Sequence, residues 1–248
     1  MKRVAWSILF GGILLAPALL AADAKPTFFE EAAAKYKAGD FKAASVALQN
    51  LMHSGRESGP VLYNLGNAAL KSGEKGLALV YYLRALEASP RDKDLRWNLH
   101  ILKGSLADKI EDKSYFVVSA AREALGYIRS DEIMIAFSVC LALLTLIQAA
   151  TAFKSGAWLG WLRVLCVTLL IVSGSLLSLK HWETRDPQAV VLDKETYAYY
   201  GPSDSETKAF LLHEGASGRV MDRSGDWIYL SLGDKKTGWV RKTSCEIV

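Results

Sequence analysis

Two long apolar runs in the middle of the chain restrict its possible folds more than any other feature. "IMIAFSVCLALLTLIQAATAF", from Ile133 to Phe153, carries no charge, and "AWLGWLRVLCVTLLIVSGSLLSL", from Ala157 to Leu179, carries only Arg163. A helix rises about 1.5 Å per residue, so each run reaches across a hydrocarbon core of about 30 Å. The link Lys154–Gly156 is too short to hold a domain. The pair is therefore expected as a two-helix transmembrane hairpin, over 132–153 and 157–179. Trp158 and Trp161 would sit at one interface, Tyr127 and Trp182 at the other. Lys154 and Arg163 favour a cytoplasmic turn. Arg163 lies near its helix end, where a long side chain snorkels to the headgroups, so it is read that way rather than as a functional charge inside the membrane.

The N-terminus reads as a signal peptide over 1–24. Lys2 and Arg3 precede an apolar core from Val4 to Leu20, and "AADAK" offers small residues for cleavage after Ala24 or Ala22. An uncleaved anchor is the alternative, and both readings export the residues after it. With an even number of later spans, residues 25–130 and 180–248 are expected on one side of the membrane, the periplasm of a diderm bacterium.

Between the signal segment and the hairpin the chain repeats itself. Gly73 falls thirty-four positions after Gly39, Ala78 after Ala44, Tyr82 after Leu48 and Ala85 after Leu51. That period, with Leu-Gly, then Tyr, then Pro, is the tetratricopeptide pattern of paired helices. Its physics is close packing. Gly66 and Ala78 are small where the two helices of a pair meet, and Leu65 and Tyr82 fill the space between pairs. Gly39 and Gly73 supply turns, and Pro90 ends a helix. Asp40 and Glu74 stand near the following helix starts, where negative charge is favourable. A third copy begins at "DKDLRWNLHIL" and fades. The repeats are expected over 25–110. Three are normally needed to bury a continuous core, so a cap is expected. The stretch Tyr115–Ile128, with Val117, Ala121, Leu125 and Ile128 on one helical face, would either cap the array or lie on the membrane as a juxtamembrane amphipathic helix over 111–131.

The first helices of such pairs line a common groove. Tyr36 and Lys37 from the first copy, with Tyr63, Asn64, Asn67 and Lys71 from the second, are the candidate peptide-binding residues there. Asparagine and lysine suit a peptide backbone or a carboxylate, although Asn64 and Asn67 occupy positions that asparagine often fills in this repeat.

After "HWETRDP" short alternating strands appear, separated by Gly, Pro, Asp and Ser: "QAVVLD", "TYAYY", "KAFLLHEG", "SGRVMD", "DWIYLSLG" and "KTGWVRK". "TYAYYGPSDSE", "LLHEGASGRV", "GDWIYLSL" and "TGWVRK", in that order over 187–248, resemble the bacterial SH3 family. The resemblance implies a small all-β barrel with turns at Gly215, Gly225 and Gly238, and a groove for extended peptides or wall peptides. Tyr199, Tyr200, Trp227 and Tyr229 are its candidate lining. Trp227, just after a turn, is expected at the groove rim, and Trp239, within "GWV", as the buried anchor.

No catalytic constellation emerges. The four histidines (His53, His100, His181, His213) have no metal-ligand spacing, and the His213–Glu214 pair beside a turn reads as structural. Cys140 and Cys166 fall in the apolar runs, which leaves Cys245 without an internal partner and expected as a buried thiol. No P-loop, nucleophile elbow or triad is present, so no cofactor is expected. The net charge of +4 is not gathered into a patch, which leaves no footprint for nucleic acid.

The order of parts, signal peptide, tetratricopeptide repeats, membrane hairpin and terminal SH3-like barrel, resembles the BatE-type tetratricopeptide member of the Bacteroides aerotolerance (Bat) operon. That resemblance implies an inner-membrane scaffold with both soluble parts periplasmic, working beside von Willebrand factor A-domain Bat proteins and a MoxR-type ATPase in stress tolerance. The expected function is a non-enzymatic adaptor. The alternative is an envelope sensor whose SH3-like domain binds peptidoglycan.

Overall fold

The computed structural model describes residues 28–108, 120, 123–151, 156–184, 187–233 and 236–248. The expected signal segment and residues 111–119 of the expected juxtamembrane helix lie outside them.

The repeat spacing becomes a set of helical hairpins. The helices are α1 (Phe28–Lys37), α2 (Phe41–His53), α3 (Gly59–Lys71), α4 (Lys75–Ala88) and α5 (Lys93–Gly104). The first two turns are built identically, thirty-four residues apart. Gly39 and Gly73 sit at φ +80° and +82°, a left-handed backbone that favours glycine. The Gly39 N–H donates to the Tyr36 carbonyl and the Asp40 N–H to that of Lys35. Gly73 and Glu74 donate in the same way to Leu70 and Ala69. These bonds satisfy carbonyls that a helix end would otherwise leave open. Asp40 also caps α2, accepting the Ala43 N–H at 3.0 Å, and Asp92 caps α5 through the Asp94 and Leu95 N–H groups. Glu74 holds the equivalent cap position without a side-chain bond.

The small residues do the expected packing. Tyr82 and Leu65 are fully buried, as are Ala44 and Ala78. The Tyr82 ring lies so close to Gly66 that a Cβ there would stand 2.4 Å from its Cδ1. Glycine is required at this position because an aromatic ring occupies the side-chain space.

The C-terminal part is a single antiparallel sheet in the order β3-β2-β6-β5-β4-β1-β7. Its strands are β1 (Gln188–Val191), β2 (Glu195–Tyr199), β3 (Lys208–His213), β4 (Ser217–Ser224), β5 (Trp227–Ser231), β6 (Thr237–Arg241) and β7 (Cys245–Ile247). The last strand, which follows a 3-10 turn at Lys242–Ser244, goes beyond the six segments expected from sequence. Ala189, Val191, Ala198, Leu212, Ile228, Leu230 and Val240 build the core. Gly215 and Gly225 form turns with positive φ. Gly238 does not: it lies inside β6, where a Cβ would stand 2.8 Å from the Ala198 Cβ. Close approach of two strands, rather than a turn, is what requires glycine there.

The apolar runs form α6 (Ser130–Thr151) and α7 (Ala157–Thr184). The first begins two residues earlier than expected, and the second extends five residues further. Both are long and apolar enough to cross a membrane, with mean hydropathies of 2.3 and 2.1. Only 6% and 11% of their most apolar stretches are covered by the rest of the protein, whereas the core helix of a water-soluble domain is mostly covered. Lys180 donates to the Ile128 carbonyl, so the end of α7 lies beside the entry to α6. Tyr127 and Trp182 therefore share one end of the hairpin. At the other end Arg163 donates to the Thr151 hydroxyl at 2.6 Å.

The sheet covers part of the helical array. Val190, Leu192 and Val248 pack into the helical core with Leu79, Val80, Leu102 and Leu106. Glu214 accepts the Gly76 N–H at 2.9 Å at the start of α4, and Lys194 bridges from Glu214 to the Gly73 carbonyl. Arg84 donates to Glu246 at 2.6 Å and to the Ile247 carbonyl at 2.9 Å. Asp108 accepts the His213 N–H at 2.7 Å. Sheet and helical array are thus one packed body, and the two parts lie on the same side of any membrane that α6 and α7 cross.

Two glycine substitutions separate the two packing layers. Gly66→Leu drives a side chain into Tyr82 and is expected to destabilise the array by about 1–3 kcal/mol, the usual cost of overpacking. An unchanged melting temperature would contradict the packing described. At Gly76 a Cβ would stand 2.5 Å from the Val191 carbonyl oxygen. Gly76→Leu is therefore expected to split calorimetric unfolding of the soluble parts into two transitions where the parent chain has one.

Candidate functional site

On the helical part, Tyr63 and Asn67 of α3 meet Tyr82 of α4 and Asn98 of α5 in one hydrogen-bonded network. Tyr82 donates from its hydroxyl to the Asn67 Oδ1 at 2.6 Å, and Asn98 donates to the same oxygen at 3.4 Å and to the Tyr63 hydroxyl at 2.8 Å. The rings of Tyr63 and Tyr82 lie 5.9 Å apart. Tyr36 packs edge-on against Phe41, with centroids 5.0 Å apart. Burial, and then the neighbouring Tyr63 and Tyr36, raise the Tyr82 phenol well above its ordinary range. Tyr36 is raised likewise, by burial and then Tyr63. Both phenols stay protonated, and that of Tyr82 acts as a hydrogen-bond donor.

Asn67 spends its oxygen inside this network, and Tyr63 accepts there while keeping its own proton. What the face presents outward is chiefly donors: the Asn67 amide N–H groups, the Tyr63 O–H, and the exposed ammonium groups of Lys37 and Lys71. Such a surface suits carbonyl or carboxylate oxygens. Asn64 is half-buried on the same helix.

Sequence reasoning missed three residues of this face. Trp97, Asn98 and Ile101 stand thirty-four positions after Tyr63, Asn64 and Asn67, so the repeat period itself carried the signal. Trp97 is 64% and Ile101 51% exposed. The polar face therefore continues into an apolar one on α5.

On the sheet, strand register brings three of the four candidate residues together with Trp239, which was expected in the core. Tyr199 and Tyr229 both pair with Trp239, across β2-β6-β5. The Tyr229 and Trp239 rings lie 5.1 Å apart, and Tyr199 meets Trp227 edge-on at 5.3 Å. Tyr200 is separate, beyond the end of β2 and 69% exposed.

The two tryptophans exchange the roles expected of them. Gly238 and Val240 turn inward to the core, so Trp239, between them, points outward and is half-buried. Trp227 points the same way as Tyr229 but is only 7% exposed. It is covered by Tyr199 and by Arg241, whose guanidinium lies 5.1 Å from the ring centroid. Arg241 is in turn held in both arms by Asp204 of the β2–β3 loop. The expected rim residue is thus the covered one.

His213 belongs to the junction with Asp108, its Nδ1 standing 3.2 Å from Oδ1. Burial, with Asp193 nearby, pushes the Cys245 thiol up to about 12, so at neutral pH it is an inert thiol of the core. Among the described residues no three His, Cys, Asp or Glu side chains are grouped to hold a metal ion.

No family model matches the chain, and no curated protein matches it.

Trp227→Ala is expected to destabilise the sheet by about 3–5 kcal/mol, the cost of emptying an aromatic site. Trp239→Ala, removing a half-buried ring, is expected to cost clearly less. Chemical denaturation of the full chain, followed by circular dichroism, orders the two, and the reverse order would contradict the placement of Arg241 and Tyr199 over Trp227.

Proposed function

We propose that this chain is a non-enzymatic, membrane-anchored adaptor of the bacterial envelope. In this reading the helical hairpins are tetratricopeptide repeats and the sheet is an SH3-like barrel. The helices α6 and α7 span the inner membrane, and both soluble parts are periplasmic. The partners are proteins recognised through extended segments, with membrane-anchored von Willebrand A-domain proteins of the Bat type the expected class.

One observation carries the reading. Lys37 and Lys71 stand at equivalent positions of successive hairpins, both exposed, and neither makes an ion pair among the described residues. They stand on the helices that carry Tyr36, Tyr63 and Asn67, of which Tyr63 and Asn67 are already fixed by hydrogen bonds with Tyr82 and Asn98. A preorganised donor surface binds an extended chain at lower entropic cost than a mobile one. Nothing in the packing of the hairpins uses these two lysines.

The adaptor reading is tested by tagging the full chain and purifying it from membranes with its partners. Lys37→Glu with Lys71→Glu is expected to leave the melting temperature unchanged and to strip away co-purifying proteins. Full retention of every partner would remove the binding role from this face. The orientation is tested separately: alkaline phosphatase fused after Val248 is expected to be active, and inserted at Ser155 inactive.

A further inference from the structure

The clasp over Trp227 has the parts of a binding site already filled by the chain itself. Arg241 presents the flat fork of its guanidinium to Asp204, Nε to Oδ1 at 3.0 Å and Nη2 to Oδ2. This bidentate geometry is the one by which arginine recognises carboxylates in general. The two partners are not equally fixed. Arg241 ends β6, in register with Trp227, and lies over its ring. Asp204 sits in the loop between β2 and β3 with its side chain 59% exposed. Its backbone neighbours are held by bonds within the loop, Ser203 to Gly201 and Glu206 to Ser203. An ion pair this exposed to water is weak, and the Asp204 side chain can turn out of it into water without the loop opening.

We infer that Arg241, with the rings of Trp227 and Tyr199 beside it, is a receptor for a ligand carboxylate that carries an adjacent apolar group, and that Asp204 occupies this receptor in the unliganded chain. The chemistry fits the free C-terminus of a peptide: the carboxylate takes the guanidinium fork, and the last side chain lies against the half-buried ring of Tyr199, with Trp227 beneath the guanidinium. Asp226 and Tyr199 are the other titratable groups close to Arg241. Asp226 belongs to the β4–β5 turn and stays with the sheet, so it opposes any anion and sets a need for the apolar contact as well as the charge. The inference goes beyond the adaptor reading, which rests on the helical face, and stands without it.

Competition sets the expected size of the effect. If Asp204 fills the site about nine-tenths of the time, removing it strengthens ligand binding about tenfold. The test uses the full chain in nanodiscs, labelled with 5-fluorotryptophan, with the Trp227 resonance assigned through Trp227→Phe. The probes are acetyl-Ala-Leu with a free carboxylate and the same dipeptide as its amide. Asp204→Asn is expected to shift the Trp227 signal at about one tenth of the acid concentration that the parent chain needs. Arg241→Gln is expected to lose the response, Arg241→Lys to keep a weakened one, and the amide to give none. Equal responses to acid and amide, no gain in Asp204→Asn, or no response of Asp204→Asn to either probe would each overturn the inference. So would a response of the parent chain to an arginine amide that is lost in Asp204→Asn, because the loop acid would then be the receptor. Lys37→Glu with Lys71→Glu is expected to leave every one of these titrations unchanged, which keeps this result separate from that of the helical face.

Discussion

The seating of β1 and β7 against α4 is the contact on which the rest of the structure depends. Among the described residues the array has five helices, and one that small has little stability to lose. The sheet closes it with Val190, Leu192 and Val248, aliphatic groups that enter the helical core directly. Polar contacts then fix the angle of docking: Glu214 on the first free N–H groups of α4, Arg84 on the end of β7, Asp108 on the end of β3. A carboxylate at a helix start meets both unpaired donors and the positive end of the helix dipole. The sheet therefore serves the array as a missing helix would.

That role changes how the chain's two binding candidates relate. The helical face and the aromatic sheet face belong to one body and are presented at a fixed relative position. The tyrosine and asparagine network has a similar economy. The Asn67 Oδ1 takes donors from both Tyr82 and Asn98, and the Tyr63 hydroxyl takes one from Asn98. Burial raises the Tyr82 and Tyr36 phenols further above neutrality, so these two keep their protons at physiological pH.

Local features were legible in the sequence, and contacts between distant segments were not. Gly39 and Gly73 announced their turns because a glycine recurring at a fixed period marks the left-handed residue between paired helices. Gly66 announced a close contact, and the ring that fills its space is the Tyr82 of the same repeat. The face residues Trp97, Asn98 and Ile101 keep that period, but they lie where the third copy of the sequence pattern fades. The junction left no periodic trace: Gly76 and Glu214 are 138 positions apart, and neither residue type alone implies the other. Trp227 and Trp239 were misassigned for a subtler reason. Both point to the outer side of the sheet, so alternation could not rank their burial. Their difference comes from Arg241 and Tyr199 across the neighbouring strands. Gly238 looked like a turn by residue type, when the crowding of Ala198 was the cause.

The attachments of the array lie at its two opposite ends. The turns after α3 and α5 hold the sheet through Gly73, Gly76, Leu106 and Asp108. The turn between α4 and α5 holds the entry of the membrane hairpin, where Arg91 grips Glu132 in both arms and Arg96 lies 3.7 Å over the Tyr127 ring. The helices between are struts in series. A pull on the sheet would reach the bilayer by two routes, through α4 to Arg91 and Arg96, and along the chain itself from β1 at Gln188 to the end of α7 at Thr184. Of the links in the first route, the one at the bilayer is a water-exposed ion pair, and the one at the sheet is an apolar contact backed by part-buried hydrogen bonds. Under load the ion pair would part first, and array and sheet would pivot together on the short covalent link to α7.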